Sequence, residues 1–191
     1  MSQGKKHSDS VFAVASNLIA ACFVAGLIIS VVYLITAPVS AKPQKEMKQQ
    51  SMMELIKDAE HFEAVPDHEG WFAAKKGGKS VAYIVPSSTR GYGGTIKMLV
   101  AVKADGTVID YSIQEHNETP GLGDNAQKMP FRGQFKGKDS AHLKVTKDPT
   151  DTEDIQAMTG ATISSRAVTK AVKDAVDRVN EYQKEIGGGT K

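Results

Sequence analysis

Cysteine is nearly absent: Cys22 is the only one in 191 residues. That excludes an intrachain disulfide, a Cys-ligated zinc site and a Cys₄ cluster. Within an apolar run, a lone cysteine acts as a small hydrophobe. A surplus of charge is also missing. The chain has 24 basic and 22 acidic residues, for a net charge of +2. With no basic surplus to hold a nucleic-acid backbone and no acidic tail, no nucleic-acid partner is expected. A catalytic constellation is missing too. The five histidines (7, 61, 68, 116, 142) are scattered and no Cys/His pair stands out, so no catalytic residue is assigned. Glu115, His116 and Glu118 lie close in sequence, but neighbouring strand positions point to opposite faces and make a poor chelate. No metal ligand is assigned.

What the chain does have is one long uncharged run. From Ser10 to Ala41 there is no charged residue. Its apolar part, Val11 to Ala37, exceeds the roughly 20 residues that span a hydrocarbon core. A cleaved signal peptide is the alternative, with Lys5 and Lys6 as its basic region and Val39-Ser40-Ala41 as a small-residue cleavage site. Signal cores run only about 7–15 residues, so a retained transmembrane helix over 11–37 is the expectation, with membrane lipid as its partner. Lys5 and Lys6 flank one side; Lys42, Lys45 and Lys48 flank the other. Their count does not fix the orientation.

The remainder divides by pattern. Residues 1–10 are a short tail, and 38–60 a polar, helix-prone connector with Met52, Met53, Leu55, Ile56 and Ala59 on one face. A soluble domain is expected over 61–185, with core signals from Trp71 onward, and a flexible tail over 186–191. Ser80–Ser88 is a β-branched and aromatic run expected to end at Pro86. Gly93–His116 predicts a hairpin. Ile96, Met98, Val100 and Val102 share one side, and Asp105-Gly106 supplies the turn. Asn117–Ala126 is too rich in Gly, Pro and Asp for regular structure. The segment "AHLKVTKD" is a plausible strand. Apolar residues at 163, 167, 168, 171, 172, 175, 176, 179 and 182 predict a long amphipathic helix. Strands with flanking helices give an α+β class, with a mainly antiparallel sheet.

The ground just before that helix is bare: Thr159-Gly160-Ala161-Thr162 has two hydroxyls and almost no bulk. Three readings fit. A threonine there can cap the helix. The free N–H groups and the helix dipole can bind an anion such as phosphate. Or a threonine hydroxyl can itself carry a phosphate, as a diester.

The segment "GATISSRAV" resembles the attachment motif of the flavin-binding domains in Rnf electron-transport complexes and sodium-pumping NADH:quinone reductases. Gly91–Asp124, "GYGGTIKMLVAVKADGTVIDYSIQEHNETPGLGD", resembles the corresponding part of the Rnf G subunit. The single anchor and the length favour the Rnf protein over the longer C subunit of the quinone reductases. The resemblance implies one covalent FMN per chain, joined as a phosphoester to Thr162. It implies that Thr159, Gly160, Ala161, Ile163 and Ser164 surround the link. Thr119, Pro120, Gly121, Leu122 and Gly123 would then lie beside the isoalloxazine ring. Gln156 stands where the family usually has an acidic residue.

The implied role is electron relay within an ion-translocating ferredoxin:NAD oxidoreductase, with the other Rnf subunits as partners and a flavin transferase for maturation. The implied location is the cytoplasmic (inner) membrane, with the domain on the periplasmic or extracellular side. The alternatives are a flavoprotein like the C subunit of the quinone reductases, and a membrane-anchored FMN-binding or sensory module that relays no electrons.

Overall fold

The computed structural model describes residues 5–188. The ends of the two expected tails, residues 1–4 and 189–191, lie outside the described residues. The chain divides into two compact units, Met1–Met47 and Lys48–Lys191.

Helix α1 runs Lys5–Leu55. Within it, Val11–Tyr33 is a 23-residue apolar stretch with mean hydropathy 2.3 and none of it buried. An uncovered helix of that length and composition is suited to a lipid surround. Helical geometry continues through the expected connector up to Leu55.

The second unit is built on a five-stranded antiparallel sheet in sequence order. Its strands are β1 (His61–Ala64), β2 (Phe72–Lys76), β3 (Lys79–Arg90), β4 (Thr95–Lys103) and β5 (Val108–Glu115). Strand alternation sends Ile96, Met98, Val100 and Val102 of β4 into one core, and Leu99 and Ala101 into another. The first core lies under α3 (Thr162–Gly188), whose Val168, Val172, Val176 and Val179 are fully buried. The second is covered by Met52, Leu55 and Ile56 from the end of α1 and the residue after it. Those side chains therefore belong to the domain's interior. The predicted hairpin is present. Gly106 takes φ +85° at its turn, and the Asp105 carboxylate accepts the Thr107 N–H at 2.9 Å.

Pro86 does not end β3. It sits in register with Leu99 of β4, and its carbonyl accepts from Arg178 Nη2 at 2.6 Å. Its missing N–H lies on the side facing away from β4. There β2 pairs with β3 only as far as Ile84, so no ladder bond is lost. The expected strand in "AHLKVTKD" shrinks to β6 (Val145–Thr146), parallel to β7 (Ile155–Gln156). Between β5 and β6 come 3₁₀ turns at Gly123–Gln127 and Gly133–Phe135, flanking α2 (Met129–Arg132). Two anchors hold this region to the sheet. Tyr111 donates its buried hydroxyl to the Ala126 carbonyl at 2.5 Å, and Arg132 forks onto Asp110 at 2.7 and 2.6 Å. Burial pushes the Tyr111 phenol well up. Hydrogen bonding to Asp110 raises Arg132 against the desolvation that opposes it.

Candidate functional site

The start of α3 is built from hydroxyls. The Ala161 carbonyl accepts the Ser165 N–H at 2.9 Å and the Ser165 hydroxyl at 2.9 Å. Ser165 Oγ in turn accepts the Met158 N–H at 3.0 Å, and the Ala161 N–H closes onto the Met158 carbonyl at 3.1 Å. Ala161 is thus the N-cap residue, and its methyl group cannot cap. Thr162 is the first helical residue. The amides of Thr162, Ile163 and Ser164 have no acceptor within the helix, and the helix dipole adds positive potential there. Gly160 makes the turn at φ +73°. A Cβ on it would come within 3.1 Å of Leu122 Cδ2. The bare Gly160 thus lets the Leu122 side chain of the 119–123 loop rest against the turn.

A cavity of about 540 Å³ opens at this helix start. Eight of the residues expected at the site line it: Thr119, Leu122, Gly123, Gly160, Ala161, Thr162, Ile163 and Ser164. Gly121 and Thr159 line instead a second cavity of about 530 Å³. Pro120 is exposed and lines neither. Two residues that no sequence pattern placed at the site join the first cavity, Tyr92 and Glu118. Its apolar surface is solvent-facing: Tyr92, Ile163 and Leu122 are 72%, 57% and 42% exposed. Ile163 departs from the apolar stripe of α3, whose other members from Ala167 to Val179 are buried.

Glu118 is 6% exposed. Its carboxylate accepts the Gly93 N–H at 2.9 Å and the Ser164 hydroxyl. It therefore ties together the β3–β4 turn, the loop after β5 and the first turn of α3. Two glycines of the β3–β4 turn, Gly91 and Gly93, leave room for that tie. A Cβ on Gly91 would lie 2.2 Å from Glu118 Oε1. On Gly93 it would lie 1.8 Å from the Asn117 carbonyl oxygen.

Gln156 is engaged elsewhere. Its Nε2 donates to the carbonyls of Asp148 and Asp151, at 2.6 Å each. It stitches down the acidic loop ahead of β7, and a carboxylate in its place could not donate. In that loop the Thr150 hydroxyl and N–H hold the Asp148 carboxyl below its usual range. The N–H groups of Asp154 and Glu153 do the same for Asp151.

Residues 91–177 match the FMN-binding domain family. Over 177 residues the chain is 52% identical to the G subunit of the proton-translocating ferredoxin:NAD(+) oxidoreductase complex of Clostridium ljungdahlii. That match spans 93% of this chain and 96% of the relative. It is 32% identical over 179 residues to the G subunit of the Na(+)-translocating ferredoxin:NAD(+) oxidoreductase complex of Acetobacterium woodii, spanning 81% of this chain and 86% of that one. Among solved structures, the C subunit of the Na(+)-translocating NADH-quinone reductase of Parabacteroides distasonis superposes with a TM-score of 0.50 at 24% identity. The superposition covers 59% of this chain and 61% of that one, and it speaks to the fold alone.

Proposed function

The chain belongs to the G-subunit family of Rnf-type ion-translocating oxidoreductase complexes, and from that premise we propose that it carries FMN as a phosphoester on Thr162. It is an FMN-binding electron-transfer component of such a complex. Bound at this site, FMN supplies the redox chemistry, and the protein supplies position and electrostatics.

One observation carries the assignment of the link. Thr162 places a hydroxyl on the first residue of a 27-residue helix, beside unpaired amides and at the mouth of a ligand-sized cavity. The residues present fit the group. The Thr162 oxygen is the tether. The Ile163 and Ser164 N–H groups bind phosphate oxygens, as helix starts do. Gly160 and Ala161 keep bulk away from the backbone. Tyr92, Leu122 and Ile163 offer apolar surface to a flat ring. A tether through phosphate leaves the ring unmodified and retains the cofactor in an exposed domain.

Attachment depends on a flavin transferase, and the other members of the complex are the domain's redox partners. The apolar helix anchors the chain in the cytoplasmic membrane, with the domain on the periplasmic or extracellular side.

The test is intact mass and in-gel flavin fluorescence after denaturation, on chain co-expressed with the transferase. Wild type is expected to carry one FMN less one water, and Thr162→Ala none. Absence of the adduct from both would overturn the covalent reading. A flavin that stays bound but does not turn over with the complex would favour the sensory module.

A further inference from the structure

We propose that Glu118 sets the reduction potential of the flavin, holding it lower than the same site would with a neutral side chain. This rests on the reading that FMN occupies the Thr162 cavity.

Three observations carry it. First, Glu118 is a buried carboxylate in the wall of that cavity. Second, both of its side-chain partners are neutral, a backbone N–H and a hydroxyl. Among the described residues it has no ion-pair partner, whereas Asp110 and Glu115 on the neighbouring strand are paired with Arg132 and Lys97. No cationic side chain among the described residues cancels its negative charge, the dipole of α3 offsets it only in part, and poor solvation lengthens its reach. Third, the chain makes room for it. A Cβ on Gly91 would strike Oε1 at 2.2 Å, and one on Gly123 would strike Oε2 at 2.4 Å and Ser164 Oγ at 2.7 Å. Two segments remote in sequence thus give up side chains to admit one carboxylate. A mere tie between the segments would be cheaper with a neutral amide.

The sign follows from charge. Two-electron reduction that takes up one proton leaves the flavin one charge more negative. A fixed anion beside it disfavours that product and lowers the potential. Replacing the carboxylate by the isosteric amide removes the charge and keeps both contacts. The Gln oxygen can accept from Gly93 N–H, and its NH₂ can donate to Ser164 Oγ.

The experiment is a spectroelectrochemical titration of the full chain, flavinylated in the cell, as wild type, Glu118→Gln and Glu118→Asp. Attachment is checked first by intact mass. Glu118→Gln is expected to keep its flavin and favour the reduced form about tenfold, or about 30 mV for a two-electron couple. Glu118→Asp keeps a charge and is expected to return the potential most of the way to wild type. If Gln and Asp shift the potential alike, or Gln not at all, Glu118 is only a structural tie and the proposal fails. A folded Glu118→Gln chain without flavin also overturns it, since the carboxylate would then serve attachment. Absence of flavin from wild type as well would be a failure of the Thr162 reading, and the mass distinguishes the two. If Glu118→Gln does not fold, Glu118→Ala decides: it also removes the charge and is expected to favour the reduced form about tenfold. An unchanged potential there would sink the proposal.

Discussion

The first turn of helix α3 and its body follow opposite rules. From Ala167 to Val179 every apolar position of the stripe faces the sheet and is buried. In the first turn the apolar Ile163 stands in solvent and the polar Ser164 and Ser165 are buried. The body of the helix is held by packing, and its front by hydroxyls. The difference teaches where the fold stops dictating the residue. An apolar side chain left in solvent at a cavity, as Ile163 is, marks surface kept for something else.

Substitutions along the helix can break or sharpen that contrast. In the body, Val172→Ala should cost about 2.5 kcal/mol through lost burial and a cavity and leave flavin attachment intact. Chemical unfolding of the detergent-solubilised chain, followed by flavin fluorescence, reads both. A loss of attachment without loss of stability would erase the division. At the front, Ser165→Ala should cost about 1.5 kcal/mol, because the Met158 N–H loses its acceptor. The same unfolding experiment reads this, and attachment should fall, since the turn carrying Thr162 loosens. Ile163→Ser should change stability by less than about 0.5 kcal/mol, as exposed substitutions do. Its expected signature is optical: a shift in the flavin absorption bands as the ring loses an apolar neighbour. An unfolding midpoint that dropped as far as for Val172→Ala would show that Ile163 is core after all.

Much of this was legible in the sequence. Strand alternation located the Ile96, Met98, Val100 and Val102 face of β4, Asp105-Gly106 located the turn, and the 3.6-residue stripe located α3. These signals are local and repeat, so they survive without tertiary context. Pro86 misled because a proline is tolerated wherever the strand's unpaired side coincides with its missing N–H. That depends on where β2 ends. The β6–β7 pair has two residues a side, too short to show a period. Met52, Leu55 and Ile56 showed an apolar face but not what it would cover. The small residues at 159–162 marked a bare helix start, and α3 does begin at Thr162. Glu118 and Tyr92 were not. The carboxylate's partners lie 25 and 46 residues away, and nothing along the chain says that Gly91 and Gly123 clear space for the same side chain.

The way α1 ends bears on a question of biogenesis. Met52, Leu55 and Ile56 seal one side of the sheet, and all three lie beyond Ala41, where a leader peptidase would cut. Trimming there would leave the sealing residues with the domain. The sheet therefore keeps these three covering residues whether or not the hydrophobic segment is retained; retention decides whether the domain stays tied to the membrane or is shed.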